Sequence, residues 1–241
     1  MNWGHYHIAA ADIEGSSKFL ESGDDHTYKA ILSKFHDLIS EIHESIKSHY
    51  PIMAAKEMAG IYPIGGDSFW LFIPAVEKDK PVSDSFAFAI KTLKSLKREF
   101  KSIFMPHELD IRIGVHTTLT EDFKADDMGW GKLTIGVEEG AYDPVYRMPV
   151  FNRTYCREFV VAKRLETTAG YYPSKLLFSD RFVYRMTDYG RGSIDDYARH
   201  SVKDKVFTEP CMDGLLRKLT QCGVTEFFEM KVSNSVRMTS Y

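Results

Sequence analysis

The chain has 241 residues, 44% of them hydrophobic and 27% charged, with a formal net charge of −3. That composition fits a globular domain and excludes a low-complexity or disordered chain. No basic run marks a nucleic-acid footprint and no stretch of about 18 apolar residues marks a membrane span, so no nucleic acid and no membrane is expected as a partner. The start, Met1 to His5, lacks the basic-then-apolar form of a signal peptide. Cys156, Cys211 and Cys222 cannot all pair and match no zinc spacing, so reduced thiols in the cytoplasm are the expectation.

A strand is expected from about His5 to Ala11, broken at Gly15 and Ser16. Asp24 and Asp25 offer caps for a helix from Thr27 to His49, with Ile31, Phe35, Leu38, Ile39, Ile42 and Ile46 on one stripe. Two strands follow, near Ile52–Met58 and Ser68–Ile73. Gly60, Pro63, Gly65 and Gly66 form the turn that places Asp67 at a hairpin tip. Pro81, Ser83 and Asp84 start a helix that reaches Ile103 and buries Phe86, Ile90, Leu93, Leu96 and Phe100. Lys91, Lys94, Lys97, Arg98 and Lys101 read as its solvated face.

Leu109 to His116 alternates apolar and polar residues as a half-buried strand does. Residues Thr117 to Asn152 read as a long excursion with one strand at Leu133–Val137; a loop of that length is often functional. A helix over Thr154–Thr168, a strand at Lys175–Ser179, short helices and a closing strand at Thr225–Val232 complete residues 1–232, read as a single domain, with 233–241 as a loose tail. The order β-α-β-β-α-β-α-β predicts an α+β fold with a mostly antiparallel sheet covered by helices.

Two segments carry chemistry. Ala11-Asp12-Ile13-Glu14-Gly15-Ser16-Ser17 and Gly65-Gly66-Asp67-Ser68 each set a carboxylate beside glycine at the edge of an apolar run. Taken singly, such an Asp is usually a turn residue. On neighbouring strands, the Asp12 and Asp67 carboxylates and the Ile13 carbonyl present hard oxygen donors suited to two Mg²⁺ or Mn²⁺ ions. Gly15, Ser16 and Ser17 would offer backbone N–H groups to phosphate oxygens. His5 and His7 form an H-x-H pair, a weaker metal signal because no Cys or acid stands near it in sequence.

These segments resemble class III nucleotidyl cyclase domains. Asp12-Ile13-Glu14-Gly15-Ser16-Ser17, Gly66-Asp67, Ile111-Arg112-Ile113-Gly114-Val115-His116-Thr117 and Ala162-Lys163-Arg164-Leu165-Glu166 occur in that family's order, over about Ile8 to Asp180. The resemblance implies a ferredoxin-like, palm-like fold and a homodimer with catalytic sites at the interface. It implies that Asp12 and Asp67 hold two metal ions from one subunit and that Arg164 serves the transition state from the other. The reaction would be attack of a ribose 3′-hydroxyl on the α-phosphate, giving a 3′,5′-cyclic nucleotide and pyrophosphate.

Departures from the family bear on the substrate. Its adenine-reading lysine falls at about Pro63, and its aspartate near Arg153. An arginine presents only donors, which suits the two carbonyls of uracil better than cytosine with its amino group. UTP is therefore expected over CTP, as in the Pycsar pyrimidine cyclases of bacterial antiphage defence, which this chain looks like and whose products act on a separate effector. The family's usual asparagine is Val160 here, with Asn152 and Tyr155 as substitutes to consider. Two other readings compete. Gly65-Gly66-Asp67-Ser68-Phe69 looks like a diguanylate cyclase signature, though Ser68 replaces its metal-binding Glu. A catalytically silent module on the same fold is the other.

Overall fold

The computed structural model describes residues 6–54, 59–63, 67–75, 81–118, 128–133, 146–151, 157–202 and 210–231. The strands are β1 (Tyr6–Glu14), β2 (Gly60–Pro63), β3 (Ser68–Pro74), β4 (Asp110–Thr117), β5 (Met128–Leu133), β6 (Tyr146–Phe151), β7 (Leu176–Ser179), β8 (Tyr197–Ser201) and β9 (Glu226–Met230). The helices are α1 (Ser17–Glu21), α2 (Asp25–His49), α3 (Pro51–Ala54), α4 (Val82–Phe104), α5 (Arg157–Ala169), α6 (Asp180–Asp188) and α7 (Pro210–Gln221). No helix among the described residues is long and apolar enough to cross a membrane.

Seven strands form one sheet in the order β2-β3-β1-β4-β7-β9-β8, and β5 and β6 pair separately. β1 lies between β3 and β4, antiparallel to both. β4 and β7 run parallel, joined by the crossover that contains α5. The other pairings are antiparallel.

Strand alternation assigns the two faces. Ala9, Ala11 and Ile13 share a face with their register partners Phe69, Leu71, Ile111, Ile113 and Val115. That face meets α2 and α4. Phe35 of α2 packs 5.6 Å from Phe69 and 5.9 Å from Phe100, centroid to centroid, and Phe86 of α4 packs 4.3 Å from His7. The expected stripe of α2 is buried at all six positions.

Ile8, Ala10 and Asp12 lie on the opposite face, with Trp70, Ser68, Gly114 and Arg112. α5 covers it, and Phe159 sits 5.1 Å from Trp70 and 5.4 Å from Phe72. The approach is close because Gly114 has no side chain. A Cβ there would stand 2.1 Å from Glu166 N and 2.3 Å from Ala162 O. Ala10, the partner of Gly114 across β1, adds little bulk to the same contact.

Several expectations are corrected. Residues 51–54 are helix α3, because Pro51 starts a helix as readily as it ends one. The strand expected at Ile52–Met58 falls instead at Gly60–Pro63. Gly60 adopts φ +142, and a Cβ there would strike His43, whose Nδ1 accepts the Ile61 N–H at 2.9 Å. The strand expected at Leu133–Val137 lies, beyond Leu133, outside the described residues, and β5, which ends at Leu133, together with β6 and β8 was not expected. Lys97 is not on the solvated face: its ammonium turns inward to Ser174 O at 2.6 Å and Asp110 at 3.6 Å. The turn at Gly65 and Gly66, Cys156 and the tail 233–241 lie outside the described residues.

Candidate active site

β1 does not stop at Ala11 but runs on through Glu14, so Asp12 sits inside a strand. It is held there from β4. Asp12 and Arg112 are register partners on the α5 face, and Arg112 Nη2 donates to Asp12 Oδ2. Opposite charges facing each other across antiparallel strands support the pairing.

Asp67 reaches the same place from β3. Its carbonyl accepts the Ile13 N–H at 3.1 Å, which extends the β1–β3 ladder by one rung. Gly15 at φ +87 then reverses the chain and turns the buried Ser16 back toward β1. The Ser16 hydroxyl lies 2.5 Å from Asp67 Oδ2 and 3.3 Å from Ile13 O. The Ser16 hydroxyl therefore orients a carboxylate, while the expectation for phosphate concerns its backbone N–H. The exposed Ser17 opens α1, and the first N–H groups of a helix have no partner within it.

Both carboxylates raise the pKa of Tyr28 on α2, after burial as the main cause, so its phenol lies within their field. Nothing in the sequence singles Tyr28 out; its position becomes evident only when α2 docks on the sheet. The Asp12 carboxyl is also held above its usual range. Burial is the largest cause, and the Glu166 and Asp67 charges add to it against Arg112 and Lys163.

Glu166 of α5 is, after Tyr28, the second residue that sequence reasoning missed as a site residue. Its side chain is 0% exposed, and it stands 2.5 Å from Arg112 Nε and 2.6 Å from Lys163 Nζ. Four charged groups thus run in alternation: Asp12, Arg112, Glu166, Lys163. The available signal was an arginine and an aspartate at inward positions of strands that are otherwise apolar.

Arg164 is not part of this cluster. It is half-buried on α5, and among the described residues its guanidinium has no hydrogen bond or ion pair. Val160, one turn earlier, shares its side of the helix, whereas Ala162, Leu165, Glu166 and Ala169 face the sheet. Arg153, Asn152 and Tyr155 lie outside the described residues, as do the side chains of Tyr62 and Pro63. The H-x-H expectation does not hold for metal: His7 is buried, with Nδ1 at 3.0 Å from Thr117 Oγ1 and Nε2 at 2.8 Å from Ser85 Oγ. His5 lies outside the described residues.

The donor set of Asp12, Asp67 and the Ile13 carbonyl is all oxygen, which fits a hard divalent cation. Among the described residues no three His, Cys, Asp or Glu side chains converge on one point. A cation held by two carboxylates keeps open positions, and phosphate oxygens are the natural ligands for them.

No family model matches this chain, and no curated protein does. Solved structures do. The adenylyl cyclase CyaB from P. aeruginosa aligns over 96% of this chain and 96% of its own at 14% identity, with a TM-score of 0.53. The guanylate cyclase domain of RhGC from Catenaria anguillulae, solved with GTP, aligns over 95% and 97% at 14% identity and TM-score 0.52. The non-canonical dimeric guanylyl cyclase domain of the RhoGC fusion protein from the aquatic fungus Blastocladiella emersonii aligns over 95% and 96% at 13% identity and TM-score 0.50. The fold of this chain is that of the class III nucleotidyl cyclase catalytic domain.

Proposed function

We propose that this chain is a nucleotidyl cyclase that acts as a homodimer, with UTP as its preferred substrate. The observation that carries the activity is the convergence of Asp12 and Asp67, joined at the backbone through Ile13 and at the side chain through Ser16. Asp12, Asp67 and the Ile13 carbonyl would hold two Mg²⁺ or Mn²⁺ ions. Bound there, such ions lower the pKa of a hydroxyl and offset charge on a leaving pyrophosphate.

The ribose 3′-oxygen forms a bond to the α-phosphorus. The bond from that phosphorus to the α,β-bridging oxygen breaks, pyrophosphate leaves with the electron pair, and the hydroxyl proton passes to solvent. The N–H groups at Gly15, Ser16 and Ser17 bind phosphate oxygens. Among the described residues Arg164 has no partner, and it faces away from the sheet, which supports a role across the dimer, bracing charge at the α-phosphate of the second copy. The fungal neighbour, a non-canonical dimer, supports pairing of two copies, and the GTP complex supports a nucleoside triphosphate as substrate.

The preference for UTP rests on Pro63 and Arg153, which replace a purine-reading lysine and aspartate with no acceptor for an amino group. A buried amino group without a partner costs about 1–3 kcal/mol, enough to separate bases. A cyclic pyrimidine nucleotide made in this way suits a second messenger in bacterial antiphage defence, read by a separate effector. Ser68 supports the cyclase over the diguanylate reading: it faces Asp12 across the ladder with a hydroxyl where a carboxylate would be needed. The test incubates the protein with Mn²⁺ and each of ATP, GTP, CTP and UTP and identifies products by mass spectrometry. Cyclic UMP is expected to form fastest; faster turnover of ATP or GTP removes the pyrimidine reading, and no cyclic product from any of the four removes the cyclase.

A further inference from the structure

We infer that Arg112 is a built-in counter-cation at Asp12, held in place by Glu166, and that a divalent cation gains Asp12 only by turning Arg112 toward Glu166. The inference rests on the metal reading of Asp12 and Asp67 given above, and deepens it.

Three observations carry it. First, Asp12 is only 15% exposed at its side chain and is paired on both sides, with Ser68 of β3 and Arg112 of β4. A carboxylate so placed is costly to ionise without a cation beside it. Arg112 supplies that cation through a direct bond to Oδ2, an oxygen a metal ion would also claim.

Second, Arg112 has a second place to go. Its Nε stands 2.5 Å from Glu166 Oε1, yet neither atom makes an aligned hydrogen bond there. The well-directed bond of the guanidinium is spent on Asp12. The contact with Glu166 is a charge contact already at close range, so Arg112 bridges the two carboxylates and can keep Glu166 when it leaves Asp12. Arginine suits this role because its planar fork presents five donors along several edges, where lysine offers one point charge.

Third, Glu166 cannot retreat. Its backbone nitrogen lies so close over Gly114 that a single added carbon would stand 2.1 Å away. Its other oxygen is tied to Lys163 at 2.6 Å, one turn back on the same helix. Glu166 is therefore a fixed post with one oxygen for Lys163 and one for Arg112. It is a positioning residue: it acts on Asp12 through Arg112 rather than on a substrate.

The test measures Mn²⁺ bound to the full chain, without nucleotide, by the loss of free-ion signal in electron paramagnetic resonance. Arg112→Gln removes the competitor and should bind Mn²⁺ roughly tenfold tighter than wild type. Arg112→Lys is the control. It keeps the charge but cannot span both carboxylates, so it should recover most of that gain. Glu166→Gln removes the second resting place, leaves Arg112 on Asp12 and should weaken binding severalfold; circular dichroism checks that each variant is folded. If Arg112→Gln binds no tighter than wild type, the counter-cation is wrong. If Arg112→Lys binds as wild type does, the effect is through-space charge alone and the bridge is wrong. No Mn²⁺ bound by wild type or by any variant at millimolar cation removes the metal reading itself, a different outcome from either.

Discussion

Asp12 carries its charge at a cost to the fold. Its carboxyl titrates above the usual value, chiefly through burial, so the folded state binds a proton there that the unfolded state has already released. The contribution of Asp12 to stability therefore falls as pH rises from the ordinary carboxylate value of 3.8 through the raised value, then stays low. Asp12→Asn mimics the protonated form. Without metal at pH 7 it should raise Tm, and the gain should vanish below pH 3.8, as scanning calorimetry across pH would show. Mn²⁺ should narrow the difference by stabilising wild type alone. Asp12→Ala and Asp67→Ala should each abolish cyclic nucleotide formation while circular dichroism stays unchanged; wild-type rates in either would sink the two-carboxylate site. Asp12 and Asp67 were legible as a pair because each breaks an apolar run beside glycine. Glu166 was not, since its partner Arg112 lies far away in sequence and nothing local marks a glutamate on a buried helix face.

At the scale of the element, α5 and β4 form the contact that fixes the site. Gly114→Ala puts a carbon 2.1 Å from one backbone atom of α5 and 2.3 Å from another, and backbone cannot swing aside as a side chain can. The expected loss is about 3 kcal/mol or more, read from urea unfolding, with Ile113→Val in the same strand as a milder comparison. A loss under 1 kcal/mol would mean that the helix has slack. The periodic elements were the easiest to read. α2 and α4 announce their buried stripes because burial on one face of a long helix leaves a regular imprint. The segment after α2 misled because a four-residue helix leaves none, and Pro51 is compatible with either outcome. β8 was missed for a related reason: it is an edge strand whose sequence after Tyr197 is Ala198, Arg199, His200 and Ser201, with Arg199 exposed and His200 packed on Phe227, so it lacks an apolar alternation.

At the scale of the whole molecule, the proposed assembly divides each site between two copies, which is testable without a structure of the dimer. Arg164→Ala should lower turnover by two orders of magnitude or more with little change in the KM for UTP, the signature of a group used in the transition state. An equal mixture of Asp12→Ala and Arg164→Ala chains, refolded together, should regain about a quarter of wild-type activity, because half the dimers are mixed and each of those holds one intact site. No recovery, with mixed dimers shown by mass spectrometry, would place both residues in one chain's site. The α+β character and the mostly antiparallel sheet followed from the alternation of elements, whereas the strand order and the parallel β4–β7 pair appear only in the fold, and the small β5–β6 sheet was hidden because residues 117–152 carry no steady period.

Lys163 and Arg164 are consecutive, yet they answer to different neighbours. Lys163 is tied through Glu166 to the Asp12 of its own chain, and Arg164 points away from it. Seated on Gly114 without clearance, α5 carries Lys163 and Arg164 as one rigid piece. In the proposed dimer, a nucleotide loaded in one pocket would therefore bear on the arginine offered to the other, so the two pockets would not fill independently. Nucleotide titrations should then depart from a single hyperbola, and the departure should disappear in Lys163→Gln.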